Sequence, residues 1–235
     1  MQKVSELSVF FPFWNEEKNI KNVVEKALSV VKKVADRWEI QMIDDGSSDG
    51  TYEIGRRLEK TYPHVKLISH TPNRGYGAAL KEGLSKAKYD LVVFNDGDGQ
   101  FDFSEVGKLL AKINDNDIVI GYREKRKDSL IRHILMLYLK IHDYLLFGFH
   151  YKDIDCGFKL FRKSAIKKII PLRSEGAMIT TEILAKAKKY KLKIAQVGVH
   201  HYPRLFGNQS GANLRVLIRA LRESFLLWQE LHKKV

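Results

Sequence analysis

The sequence is poor in the features that would make it secreted, spanning or modular. Of its 235 residues only Cys156 is a cysteine. An internal disulfide is therefore excluded, and a reducing compartment, the cytosol, is expected. Apolar runs are short: residues 134–139 are followed at once by Lys140. Nothing approaches the roughly 18 apolar residues of a spanning helix, so the chain is expected to lie on a membrane rather than cross one. Residues 1–6 lack the apolar region of a secretory leader. There is no internal repeat, no low-complexity tract and no Pro/Gly/Ser-rich linker, which predicts one domain over 1–235. Acidic residues are outnumbered, 28 Asp and Glu against 41 Lys and Arg, for a net charge of +13. That balance favours anionic partners: nucleic acid, anionic lipid or phosphorylated substrates. Much of the excess falls after residue 120, whereas the acidic clusters precede it.

Those clusters are the chief positive signal. Asp44-Asp45-Gly46-Ser47-Ser48-Asp49-Gly50-Thr51 follows the apolar run 38–43, and Asp96-Gly97-Asp98-Gly99-Gln100 follows 91–94. Asp, Gly and Ser are ordinary turn residues, and one such turn alone reads as a solvated loop. Two of them, each directly after an apolar run, read as a site. Crowded carboxylates raise the energy unless a cation or a hydrogen-bonded ligand offsets them. Around them, strands are predicted at 6–11 (ended by Pro12), 38–43, 65–69, 89–94 and 117–121. Helices are predicted from a cap at Asn15 to about residue 37, at 51–61 with Asp49 as cap, at 75–86 and at 103–113. This alternation predicts a mostly parallel sheet with helices on both faces, and ligands at the carboxyl ends of its strands. Both acidic turns fall there, as does Asn73-Arg74-Gly75. Later, a helix is predicted at 128–149, a short strand at 158–161, a helix at 179–190, a strand at 192–199, a loop at 204–211 and an amphipathic helix at 213–233.

Gly75-Tyr76-Gly77-Ala78-Ala79-Leu80 lacks the third glycine of a dinucleotide fingerprint. Phe101 stands where a calcium-binding EF-hand loop needs its turn glycine. An Asp-x-Asp after a strand also occurs in phosphatases whose first Asp is the nucleophile, which leaves Asp96 open to that role. A basic module binding anionic lipid or nucleic acid is a further alternative. Nucleic acid is disfavoured, because the acidic clusters would repel it and no nucleic-acid motif is present.

Taken in order, Pro12-Phe13-Trp14-Asn15-Glu16-Glu17, the Asp44 to Thr51 turn, Asn73-Arg74-Gly75-Tyr76-Gly77-Ala78 and Asp96-Gly97-Asp98-Gly99-Gln100 resemble the inverting family-two glycosyltransferases. Asp155-Cys156-Gly157-Phe158-Lys159-Leu160 is similar to the subgroup that glycosylates polyprenyl phosphates, including dolichol-phosphate mannose synthases. The resemblance spans about residues 7–210. It implies an α/β GT-A (Rossmann-like) fold with a mostly parallel central sheet, plus amphipathic helices in the C-terminal half. Residues 1–121 would bind the nucleotide sugar, 122–212 the acceptor, and 213–235 form the final helix.

The resemblance also implies roles. Pro12, Trp14, Asn15, Glu16, Asp45, Ser47, Asn73, Arg74, Gly75, Asp96 and Gly97 would bind the nucleotide sugar. Asp96, Asp98 and Gln100 would hold Mg²⁺ or Mn²⁺. Arg123, Arg132 and Arg204 would bind the acceptor phosphate, and Asp98, Asp155 and Glu182 would act near the reacting centre. The serine expected four residues and one step after Arg204 comes one residue late, at Ser210. The activity implied is transfer of mannose or glucose from a GDP- or UDP-sugar to a dolichyl or undecaprenyl phosphate, at the cytosolic membrane face. A glycan acceptor is the alternative within the same chemistry. The predicted helix 128–149 carries more apolar side chains than one stripe needs, with Arg132, His133, Lys140 and His142 among them. It fits an interfacial helix on an anionic membrane, packing within the protein, or a dimer contact. A membrane-anchoring subunit is left open.

Overall fold

The computed structural model describes residues 3–124, 141–142, 144–207 and 214–232, the last of these by backbone alone up to 221. Seven strands form one sheet: β1 (Val4–Phe13), β2 (Ala35–Asp44), β3 (Val65–Ser69), β4 (Leu91–Asn95), β5 (Ile118–Arg123), β6 (Phe158–Arg162) and β7 (Ile194–Val199). Their order is β3-β2-β1-β4-β6-β5-β7. β6 runs antiparallel to β4 and β5, and every other pairing is parallel. Around the sheet, among the described residues, lie α1 (Ile20–Val34), α2 (Thr51–Thr61), α3 (Tyr76–Lys86), α4 (Val106–Leu110), α5 (Lys163–Ile169), α6 (Ile179–Lys189) and α7 (Leu214–His232).

The two-residue period of β1 explains the layering. Leu7, Val9, Phe11 and Phe13 point to one face, where they meet α1 and α4. Phe10 points to the other, into a core shared with α3, α5 and α6. A strand covered on both sides reads as a continuous apolar run, and β1 does so from Leu7 onward. Leu227 of α7 enters the second core, with Trp228 and Leu231 packed against it, so the last helix is a packing element.

Several boundaries differ from expectation for identifiable reasons. Pro12 does not end β1, which continues to Phe13. Asp45 donates its N–H to Phe13 O at 2.9 Å, so Phe11 and Phe13 face β2 and Pro12 faces away from it. On that far side pairing with β4 covers only Ser8 to Phe10, and the missing N–H of Pro12 breaks no ladder bond. Asn15 does not cap α1. It adopts φ 54°, outside the extended geometry of an N-cap, and it joins two loops: Ser47 Oγ accepts its N–H at 2.9 Å and its Oδ1 accepts from Ser48 N at 2.8 Å. Asp49 does serve α2, accepting the N–H of Thr51 at 3.0 Å. The helix expected over 103–113 is cut to a 3₁₀ turn, Phe103–Glu105, and one turn of α4, after which Lys112 and Ile113 bond three residues back. α5 was not visible in the pattern. Most of the predicted helix 128–149, with Arg132, lies outside the described residues. Of its described end, Phe147 and Phe149 are core residues, whereas Ile141, Tyr144 and Leu145 are exposed.

Glu182 is not at a solvated face and not free for chemistry. It is 1% exposed. Its oxygens accept from Arg173 N at 2.9 Å, Ser174 N at 2.7 Å and Lys186 Nζ at 2.7 Å. Burial pushes its carboxyl up, but Lys186 and the two N–H groups outweigh burial and hold it below the usual carboxylate range.

Two outcomes are expected. Because the folded pKa of Glu182 is depressed, its contribution is present above the unfolded value, about 4.3, and disappears as pH falls through the lower folded one. Glu182→Gln should therefore cost about 3 kcal/mol at neutral pH, where it strands Lys186. The gap should shrink below about pH 4. Urea unfolding at pH 7 and pH 3.5 tests this, and an equal gap at both would contradict it. In α3, a Cβ on Gly83 would stand 2.2 Å from Phe10 Cδ2, in a ring that stacks on Phe94. Helix propensity favours alanine by roughly 1 kcal/mol, but overpacking costs about 1–3 kcal/mol. Gly83→Ala should therefore lower the melting temperature, and a gain would refute the packing argument.

Candidate active site

The carboxyl ends of β1, β2 and β4 bring both acidic turns together. Asp45 is nearly fully buried and organises the loop after β3. Its Oδ1 meets His70 Nδ1 at 2.7 Å and accepts from Arg74 N at 3.0 Å. Its Oδ2 accepts from Gly75 N at 2.7 Å, and its carbonyl oxygen accepts from Asn73 Nδ2 at 2.7 Å. Asp45, assigned to the nucleotide sugar, holds the loop after β3 through these bonds. Asp44 beside it accepts from Ser69 Oγ at 3.0 Å. Ser47 is engaged with Asn15, and Trp14 stands 51% exposed just past β1.

At Gly75 the chain comes close to itself: the residue has φ 97°, and a Cβ there would lie 2.5 Å from Glu175 O. Gly77 donates its N–H to the same oxygen at 2.8 Å. The segment that Glu182 pins is thereby seated on the start of α3. Gly97 behaves alike, because a Cβ there would stand 2.5 Å from the Phe13 ring and 2.6 Å from Pro12 O.

Asp96 is the most constrained carboxylate. Tyr76 donates its hydroxyl to Oδ1 at 2.8 Å, and Asp96 N–H bonds Gly157 O at 2.9 Å. A Cβ on Gly157 would fall 1.8 Å from Asp96 Oδ2, so glycine there is a steric requirement. Burial first, and the charge of Asp98 next, push Asp96 up to about 6. Burial beside the same carboxylates raises the Tyr76 hydroxyl as well. Asp98 Oδ1 accepts from Gln100 N at 3.0 Å, and its Oδ2 lies 3.6 Å from Arg204 Nη1.

Gln100, expected to hold the cation with this pair, uses its amide nitrogen on another loop. It is buried, its Nε2 donates to Tyr202 O at 2.8 Å, and Tyr202 N donates to Gln100 O at 2.8 Å. It fastens the loop that carries Arg204. Arg204 in turn pairs with Glu16 Oε1 through Nη2 and donates from Nε to Phe206 O at 2.6 Å. Glu16 Oε2 accepts from Asn19 Nδ2 at 2.6 Å. Both Glu16 oxygens are thus committed, and it supports Arg204 rather than a nucleoside. Burial raises its pKa against the pull of Asn19 and Arg204.

Arg123 is also committed. It makes a bidentate pair with Asp153, Nε to Oδ2 at 2.6 Å and Nη2 to Oδ1 at 2.8 Å. Expected to bind the acceptor phosphate, Arg123 has its Nε–Nη2 edge filled by a carboxylate from the loop before β6. Lys159, on β6, is fully buried and holds the same loop, donating to Ile154 O at 2.9 Å and to Cys156 O, with its ammonium 5.4 Å from the Phe94 ring centre. Burial lowers its pKa, against the pull of Cys156, Asp153, Asp155 and Asp96. Asp155 is exposed on this loop and adds to the negative field at Tyr76. Burial pushes the Cys156 thiol up to about 12, so it stays protonated. His70, Tyr76, Asp153 and Lys159 were missed by sequence reasoning. Tyr76 and Lys159 lay inside the quoted motifs, and Asp153 stands two residues before Asp155.

Among the described residues no cluster of three or more His, Cys, Asp or Glu is poised for a metal. A pair of strand-end carboxylates nevertheless fits Mg²⁺ or Mn²⁺, which commonly takes one or two protein carboxylates and completes its shell with substrate phosphates and water. The guanidinium of Arg204 beside Asp98 shows that a cation is accommodated there. No helix among the described residues is long and apolar enough to cross a membrane.

The structure resembles solved GT-A enzymes. Glucosyl-3-phosphoglycerate synthase from Mycobacterium tuberculosis in complex with phosphoglyceric acid superposes with a TM-score of 0.71 at 20% identity, covering 97% of this chain and 80% of that one. The same synthase in complex with Mn²⁺, UDP-glucose and phosphoglyceric acid gives 0.69 at 19% identity, covering 97% and 79%. In sequence, the dolichyl-phosphate β-glucosyltransferase of Saccharomyces cerevisiae is 31% identical over 224 residues, 82% of this chain and 66% of that protein. Its counterpart from Dictyostelium discoideum is 34% identical over 214 residues, 83% and 65%. The undecaprenyl-phosphate 4-deoxy-4-formamido-L-arabinose transferase of Salmonella choleraesuis is 28% identical over 216 residues, 91% and 65%. The chain thus spans just under two thirds of the length of these relatives. Residues 8–170, well over half of the sequence, match the model of glycosyl transferase family 2. The chain belongs to glycosyl transferase family 2.

Proposed function

We propose that this chain transfers a hexose from a nucleoside-diphosphate sugar to a polyprenyl phosphate with inversion at the anomeric carbon. The observation that carries the reading is the Asp96–Asp98 pair at the end of β4, with the guanidinium of Arg204 beside it. The names of the relatives, dolichyl-phosphate and undecaprenyl-phosphate transferases, support the acceptor class and favour glucose over mannose. UDP and GDP are both compatible with the loop at Asp45.

Asp96 and Asp98 would hold a divalent cation, which neutralises the diphosphate and the charge growing on the leaving group. Tyr76 orients Asp96, and Asp155, exposed on the loop 153–157, would orient sugar hydroxyls. Little base catalysis is needed. A phosphate monoester has its second pKa near ~6 and is largely dianionic at neutral pH. One of its oxygens forms the bond to the anomeric carbon as the bond to the nucleoside diphosphate breaks. Arg204, beside Asp98, would steady that acceptor.

Peripheral attachment at the cytosolic membrane face, to an anionic surface, completes the reading. Trp14, Tyr202, Leu205 and Phe206 are exposed around Arg204, with Lys18 Nζ 5.8 Å from the Phe206 ring centre. Such apolar and aromatic groups beside cations suit a lipid headgroup layer. A membrane-anchoring subunit is compatible with it.

The test is transfer of labelled sugar from UDP- and GDP-sugars to a polyprenyl phosphate, with and without EDTA, beside a thermal-shift panel of the same donors. Asp98→Asn should reduce cation-dependent donor binding by at least the roughly 100-fold that losing even an outer-shell partner costs a metal site. Donor affinity indifferent to both EDTA and the substitution would overturn the reading.

A further inference from the structure

One guanidinium joins three segments that are far apart in sequence. Arg204 reaches Glu16 in the first loop and lies 3.6 Å from Asp98 in the second acidic turn. The base of its own loop is fastened independently, through the paired Gln100–Tyr202 hydrogen bonds and the Phe101–His201 bridge. Beyond that anchor only Pro203 separates Tyr202 from Arg204, and Leu205 is 82% exposed. The side chain, 16% exposed, is held by Glu16 and Asp98 and by the bond from its Nε to Phe206 O.

We propose that Arg204 is a displaceable counter-ion of the carboxylate site: Glu16 and Asp98 hold it until a divalent cation takes Asp98, and its release presents it to the acceptor phosphate. The last clause rests on the function proposed above, whereas the displacement does not.

The physical argument is a competition for one carboxylate. A guanidinium and a divalent ion cannot both sit within a few ångströms of Asp98 without strong mutual repulsion. The ion carries twice the charge and is further held by Asp96 and by any diphosphate present. Glu16 is what makes the first arrangement stable, because it supplies the charge-assisted bond that Asp98, at 3.6 Å, does not. Glu16 is therefore a positioning residue for Arg204. The order that follows is cation and donor before acceptor. Until the cation has arrived, the arginine is turned inward and a phosphorylated acceptor finds no free fork.

Two measurements on the whole chain test this without any transfer reaction. In the first, Mn²⁺ is titrated in the absence of nucleotide and free ion is read by EPR. Arg204→Gln removes the competitor and should bind Mn²⁺ about threefold more tightly or better, the scale of a partly exposed ion pair. Unchanged or weaker binding would overturn the proposal. In the second, trypsin scission of the 204–205 bond is followed by mass spectrometry, since the protease must take the Arg204 guanidinium into its own pocket. Mn²⁺ added to the wild-type chain, and separately Glu16→Gln without Mn²⁺, should each speed that cut about threefold or more, while scission at exposed Lys112 keeps its rate. A rate at Arg204 indifferent to both would overturn the proposal. Should the sugar-transfer assay fail while both readouts respond, the displacement stands and the acceptor role falls.

Discussion

Like charges cannot be gathered at one end of a sheet without something to offset them, and much of this structure answers that constraint. Asp96, Asp98, Asp155 and Glu16 share one small region. Against them the fold sets Tyr76 as a hydroxyl donor to Asp96, Arg204 between Glu16 and Asp98, and Lys159 buried beneath the loop that carries Asp155. Burial first, and then the charge of Asp98 that these groups leave partly uncancelled, push Asp96 up to about 6. A buried ammonium such as that of Lys159 is costly by itself, and its place in the sheet is intelligible only because several carboxylates face it. Removing the acids would leave the lysine uncompensated, so the site and the centre of the sheet are electrostatically one unit.

The same economy explains where the glycines fall. Gly75, Gly97 and Gly157 each mark a place where two segments of the chain touch, with Glu175, with Phe13 and with Asp96 respectively. A site built on loops gains precision when the loops are locked to one another, and backbone contact without an intervening side chain is the tightest lock available. Asp45 does the same by hydrogen bonding, spending its acceptor capacity on His70, Arg74 and Gly75.

The strands were legible because apolar runs ending in Asp and Gly have few alternative readings, and β3 and α2 fall where the pattern puts them. The motifs also located the site, since strand-end carboxylates in an α/β pattern converge whatever their spacing. What the sequence could not show was which charges pair. Arg123 and Asp153 are both plausible site residues from their types, and only the antiparallel return of β6 through the sheet sets them face to face. Gln100 was read as a ligand from its place beside two aspartates. Its true partner, Tyr202, is 102 positions away, and only the alignment of β7 beside β5 brings it near. Glu182 likewise holds the chain, and the amphipathic pattern of α6 gives no hint that residues 173–174 fold back over it.

These pairings also bear on why so few protein carboxylates face the cation. A third acid pointing at Asp96 and Asp98 would tighten metal binding, but it would raise their mutual repulsion whenever no ion is bound. With two acids and one arginine beside them, the repulsion is reduced before any ion arrives. The affinity of an ion would then depend on what else it can coordinate. A diphosphate would supply the missing oxygens, so donor and cation would stabilise each other. Weak affinity for the bare ion follows from this arrangement. It is also what an enzyme handling an anionic donor and an anionic acceptor in one pocket requires, because a permanently held ion would attract either phosphate to the same place.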